Sequence, residues 1–229
     1  MLTDNHDART CWRRVFIIME NSELTSQSKQ QKLIDELVDQ RISINPNFFD
    51  SELITSLHQE LVDLEKQDQL RAAHVGKQQQ RSHIRDIRGD SIHWINGETE
   101  AQRLFLAEMN QLQDALNQHL FLGLTELEVH YAHYPAGMGY QKHLDSFQNN
   151  NLRRITIVVY LNPDWHKEDG GELEIYNGDE IINRVLPLGG TLVCFVSEEF
   201  PHQVAITQRE RFSIAGWFRV RDTKVLATS

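Results

Sequence analysis

The sequence predicts an α+β chain, with helices in the N-terminal half buttressing a jelly-roll β core. Three observations carry that prediction. Apolar residues recur with helical spacing in three segments before residue 121. From Thr125 the period drops to two, and short strand-like runs follow one another between Asn-, Gly- and Pro-containing turns. Helices first and strands after make a β core with helical support, and a jelly-roll interior has room for a metal and a small ligand. The expected organisation is a tail over residues 1–24, poorly ordered, and one domain over 25–229. Within that domain 25–122 is the helical support and 123–220 the β core.

Composition narrows the function classes. The chain has 229 residues, 40% of them hydrophobic, enough for one substantial core. Its net charge of −10 argues against nucleic acid as the main partner. No apolar run approaches the roughly 20 residues of a membrane span. Val15–Met19 is too short for a secretory segment. Of the two cysteines, Cys11 and Cys194, the second sits in a strand-like TLVCFV run. A disulfide framework is not expected, and a reducing cytoplasm is.

Residues 25–40 carry Leu33, Ile34, Leu37 and Val38 at helical spacing, with Thr25 or Ser26 as the cap. A short strand over Ile42–Ile44 ends near Pro46. Asp50 opens a second helix with Leu53, Ile54, Leu57, Leu61 and Leu64 on one face. Residues 71–91 have no clean period and carry a net charge of +3 in this acidic chain, which reads as an exposed loop or finger. A third helix over 98–120 has a stripe of Leu104, Phe105, Met109, Leu112 and Leu116, with Gly123 as its stop. Leu127, Val129, Tyr131 and His133 then alternate with polar neighbours. Strands are expected at 139–145, 152–161, 172–176, 181–186, 191–196, 202–206 and 211–219. Turns fall at Asn149–Asn151, at Asn177–Asp179 and at Pro187–Gly190.

The chemistry gathers around His143 and Asp145. Residues two apart on a strand share a face, so an imidazole and a carboxylate there can grip one metal ion. A third ligand is needed, and His202, 57 residues past Asp145, is the best candidate. Two His and one carboxylate form the facial triad of non-haem Fe(II) oxygenases, with positions left open for substrates. A lone His-x-Asp pair in a chain with 11 histidines recurs by chance. What raises it is Arg211, nine residues past His202, and Tyr160 in the run RRITIVVYLN. An arginine and a tyrosine suit a second carboxylate, that of a cosubstrate. Parity puts Tyr160 on one face with Val158, Thr156 and Arg154, and Arg211 on one face with Ser213, Ala215 and Trp217. Tyr131 and Tyr140 read as core and His93 as a packing residue.

These blocks resemble the prolyl-hydroxylase branch of the Fe(II)/2-oxoglutarate dioxygenases, in the group of bacterial and animal enzymes related to the hypoxia-inducible-factor prolyl hydroxylases. The likeness spans roughly residues 40–220. It rests on IRDIRGDSIHWINGE (84–98), HYPAGMGYQKHLD (133–145), RRITIVVYLNPDW (153–165), GGELEIY (170–176), FPHQV (200–204) and RFSIAGWF (211–218), in matching order and spacing. The resemblance implies a double-stranded β-helix. It implies His143, Asp145 and His202 as iron ligands, and Arg211 with Tyr160 on the distal carboxylate of 2-oxoglutarate. It further implies Tyr134 lining that pocket, Arg88 and Asp90 in a finger loop over a peptide substrate, and Trp217 walling the substrate side. The implied reaction consumes O2 and 2-oxoglutarate, releases succinate and CO2, hydroxylates a prolyl residue of a protein, and uses ascorbate as reductant. For a bacterial source, elongation factor Tu is the leading substrate. Two rival readings stand beside it: the same chemistry on a free amino acid or small molecule, and a non-catalytic metal-binding β-barrel.

Overall fold

The structure is a computed structural model that describes residues 27–73, 88–146 and 152–222. The expected tail, Cys11, the Asn149–Asn151 turn and most of the basic segment 71–91 lie outside the described residues.

Among the described residues, three α-helices support two antiparallel sheets. Helix α1 covers residues 27–40 and buries Leu33, Ile34 and Leu37. Val38, expected on the same stripe, is 54% exposed, because it lies roughly 90° round the helix from the centre of that trio. Helix α2 (Ser51–Lys66) starts where Asp50 accepts the Glu52 N–H at 2.7 Å, and buries Leu53, Ile54, Leu57 and Leu61. Helix α3 (Glu100–Leu120) is capped by Thr99 and buries Phe105, Met109, Leu112 and Leu116. Leu104 does not belong to that stripe: it is 54% exposed, about 110° from its centre. The helix stops at Phe121, in the left-handed region at φ 53°, and not at the expected Gly123.

The larger sheet has the order β1-β9-β6-β11-β4-β3-β2, with β1 Ile42–Asn45, β2 Arg71–Ala72, β3 Ser91–Trp94, β4 Glu126–Tyr134, β6 Arg153–Tyr160, β9 Leu192–Val196 and β11 Arg211–Arg219. The smaller has the order β5-β10-β7-β8, with β5 Tyr140–His143, β7 Leu173–Asn177, β8 Glu180–Val185 and β10 His202–Val204. Strict alternation gives the larger sheet two different faces. Val129, Tyr131, Ile155, Ile157, Val159, Ile214 and Phe218 pack with the helices in one core. Ala132, Tyr134, Val158 and Tyr160 pack with Leu173, Ile175 and Val204 of the smaller sheet in another. The chain thus forms a double-stranded β-helix, and its second core encloses the site. Cys194 is fully buried in β9, as its apolar run requires.

Candidate active site

Each proposed ligand owes its position to a strand. His143 ends β5 and pairs in register with His202 on β10, so both imidazoles stand side by side on the inner face of the smaller sheet. The ring centroids are 4.3 Å apart. Asp145 follows β5, with its Oδ1 3.6 Å from His143 Nε2 and its Oδ2 3.4 Å from His202 Nε2. Ligand atoms of the three all lie within 4.8 Å of one another, the one such cluster among the described residues.

Neighbouring groups fix how these side chains present themselves. His143 Nδ1–H donates to the Gln141 carbonyl at 2.8 Å, and His202 Nδ1–H to the Phe200 carbonyl at 3.1 Å. A carbonyl only accepts, so the proton sits on Nδ1 and the Nε2 lone pairs face the cluster. Burial and the nearby His202 push the His143 pKa down to about 4, against the pull of Asp145, so its imidazole is neutral at neutral pH. Burial alone would raise the Asp145 pKa, but His202 and His143, with Trp217 and Thr156, hold it below the usual carboxylate range. Thr156 Oγ1 donates to Asp145 Oδ2 at 2.8 Å and lies 2.9 Å from Ser197 Oγ. Two imidazole nitrogens and one carboxylate oxygen on one side of a point are a donor set that suits Fe(II).

Arg211 opens β11 and is 1% exposed. Its Nε donates to the Gly171 carbonyl at 2.9 Å and its Nη1 to Ser213 Oγ at 3.1 Å. The Tyr134 and Tyr160 rings flank the guanidinium, with centroids 5.1 and 5.2 Å from Cζ. No carboxylate pairs with Arg211 among the described residues. A buried cation without a counter-charge is costly, which calls for an anionic ligand. The Tyr160 hydroxyl is also buried without a partner, and burial pushes its pKa up to about 12 against Arg211. Both groups therefore fit the distal carboxylate of 2-oxoglutarate.

A cavity of about 660 Å³ joins these parts. His143, Asp145, His202, Arg211, Tyr134, Arg88, Asp90 and Trp217 all line it; Tyr160 stands behind the wall, beside Arg211. Arg88 and Asp90 grip each other through two hydrogen bonds of 2.6 and 3.0 Å. Four further wall residues went unassigned or misassigned in the sequence reading. Thr156 holds Asp145. Arg153 stacks its guanidinium 3.4 Å above the Trp217 ring. His130 lies between Trp94 and Trp217. Tyr140, read as core, stacks on His143 at 3.6 Å and lies under Arg88. Parity had already put Thr156 on the Tyr160 face; the rest depend on cross-strand neighbours.

Comparison with known proteins agrees with this geometry. Residues 129–219 match the model of the 2OG-Fe(II) oxygenase superfamily. A prolyl-4-hydroxylase from Pseudomonas putida, solved by crystallography, is 38% identical, with a TM-score of 0.77 over 84% of this chain and 100% of that one. The chain belongs to the prolyl hydroxylase family of 2OG-Fe(II) oxygenases. Egl nine homolog 1 of Rattus norvegicus is 32% identical over 179 residues, 70% of this chain and 52% of that protein. The chain thus spans about half the length of that relative. The prolyl hydroxylase of Trichoplax adhaerens, solved with a peptide of the hypoxia inducible factor oxygen degradation domain, shares the fold at a TM-score of 0.81 and 24% identity. It matches 91% of this chain and 96% of that one. Membership of the family implies Fe(II), 2-oxoglutarate and O2.

Proposed function

We propose that the protein is an Fe(II)- and 2-oxoglutarate-dependent dioxygenase that hydroxylates a prolyl residue in a protein, with elongation factor Tu as the leading substrate for a bacterial source. The observation that carries this reading is the buried, acid-free Arg211 sharing one cavity with the His143, Asp145 and His202 cluster. His143, Asp145 and His202 hold the metal. Bound there, Fe(II) would supply the activation of O2, coupled to conversion of 2-oxoglutarate to succinate and CO2 and to hydroxylation of a substrate C–H.

The chain's own groups do the positioning. Arg211 anchors the far carboxylate of the cosubstrate by charge-assisted bonds, with Tyr160 adding its free hydroxyl and Tyr134 walling the pocket. Thr156 orients the Asp145 carboxylate, and the Gln141 and Phe200 carbonyls fix the imidazole tautomers. Apolar walls from Val158, Leu173 and Val204 keep that end dry. Arg88 and Asp90, at the base of the basic segment 71–91, and Trp217 contact the substrate. Ascorbate serves as reductant, and the protein works in the cytoplasm. No helix among the described residues is long and apolar enough to cross a membrane.

The deciding experiment measures succinate released from 2-oxoglutarate by purified protein with Fe(II) and ascorbate, with and without elongation factor Tu. Mass spectrometry then reads the added protein for one extra oxygen. Succinate coupled to an oxygen on proline is expected. Succinate with no modified protein would keep the oxygenase, overturn elongation factor Tu as its substrate and reopen the small-molecule reading. No succinate from protein shown to hold iron would favour the non-catalytic metal-binding barrel.

A further inference from the structure

His130 sits on the interior face of β4, 1% exposed, and neither ring nitrogen has a hydrogen-bond partner. An unpaired buried polar group opposes folding, and native proteins keep few of them. Its place is specific. The ring lines the same cavity as the ligand cluster, with Trp217 at 5.7 Å on one side and Trp94 at 5.1 Å on the other. Register puts it opposite Ala215 on β11 and Trp94 on β3. Trp94 is 46% exposed and Trp217 7%, so Trp94 stands on the solvent side of the ring and Trp217 on the interior side. Burial pushes the His130 pKa down to about 4; Arg88 and Arg153 add to this, and Asp90 and Asp145 oppose it. The ring is therefore neutral at neutral pH, with one donor nitrogen and one acceptor nitrogen.

We propose that His130 is a specificity-determining residue for the hydroxylated substrate, giving its unpaired ring nitrogens to an uncharged peptide group beside the target residue. A peptide unit carries one N–H and one C=O, the complement of a neutral imidazole. The inference rests on the protein-prolyl reading and adds to it the residue that recognises the polypeptide. It also explains why a free hydrogen-bonding group is kept where leucine would pack at lower cost.

The test compares wild type with H130L, using elongation factor Tu as the protein probe. H130L is expected to melt at the same temperature as wild type or higher, since it removes an unpaired polar group. It is expected to raise the KM for the protein roughly tenfold, the loss of about one well-made buried hydrogen bond. The KM for 2-oxoglutarate should stay within about twofold. A histidine with only a structural role would not separate these readouts. A KM for the protein matching wild type would overturn the assignment. If H130L fails to fold, H130Q carries the test, because its amide keeps a donor and an acceptor. Folded H130Q should lie within about threefold of the wild-type KM, and a rise of about tenfold would overturn the assignment. Wild type that leaves elongation factor Tu unmodified sinks that substrate assignment and this inference with it. Wild type that modifies it while H130L does so equally well sinks the role of His130 alone.

Discussion

Asp145 reaches the metal cluster only because its second oxygen is held from behind. Thr156 Oγ1 donates to Oδ2 across 2.8 Å, both groups being buried. Thr156→Val keeps the shape and removes the donor, so the carboxylate loses its orientation. Metal affinity should fall roughly 10- to 100-fold, as for other outer partners of metal ligands. An anaerobic Fe(II) titration reads it, and an unchanged affinity would remove Thr156 from the site. Tyr160 poses the opposite case. Its hydroxyl is buried and idle in the free protein. Tyr160→Phe should leave the melting temperature unchanged or raise it, while the KM for 2-oxoglutarate rises by roughly tenfold or more, one hydrogen bond to a charged group. A fall in stability without a change in KM would make Tyr160 a packing residue. His143, Asp145, His202 and Arg211 were legible because each lies in a short motif. Tyr140 and His130 were not, because an aromatic ring on a strand looks the same whether its neighbour across the sheet is a valine or a ligand.

Between elements, the position of Arg211 depends on two loops. Asn162, just past β6, donates to the Pro187 and Phe212 carbonyls at 2.7 and 3.0 Å and accepts the Phe212 N–H at 2.6 Å, pinning β11 next to Arg211. Gly171 gives Arg211 its carbonyl from φ +70°, and a Cβ there would lie 3.1 Å from both Arg211 Cδ and Thr207 Oγ1. Gly171→Ala should therefore destabilise the fold by about 1–2 kcal/mol and raise the KM for 2-oxoglutarate. Urea unfolding and the succinate assay check the two effects, and an unaltered KM would mean that the carbonyl does not set the guanidinium. The elements themselves were largely readable: short alternating or apolar runs mark the strands from Thr125 on, and Asp50 announces α2, whereas β2 and β3 fall in or beside the 71–91 segment read as a loop. Errors fell where period alone decides nothing. Leu104 and Val38 sit at the flank of a stripe, and Phe121 ends α3 in a conformation more typical of glycine or asparagine. Register between strands far apart in sequence, which pairs His143 with His202, is written in no single segment.

Across the whole molecule, the interior stores several neutral imidazoles. His130 and His143 are held near pKa 4, and His58 is also lowered, mainly by burial. The unfolded chain keeps its histidines near 6.5. Between about pH 6.5 and 4 the unfolded state therefore binds protons that the folded state refuses, and stability falls as pH drops through that window. Above pH 7 both states are neutral and these groups add no pH dependence. A single histidine shifted from 6.5 to about 4 costs the fold roughly 1 kcal/mol at pH 5.5 relative to pH 7.5. Asp145, held low in the fold, acts in the same direction at still lower pH. Urea unfolding of chelator-treated protein at pH 7.5 and 5.5 measures the sum without metal competing for His143. H130L should recover roughly 1 kcal/mol of that loss, because it removes one of the groups that titrate only on unfolding. An H130L protein with the same pH dependence as wild type would place the proton uptake elsewhere and show that His130 is not buried in its neutral form.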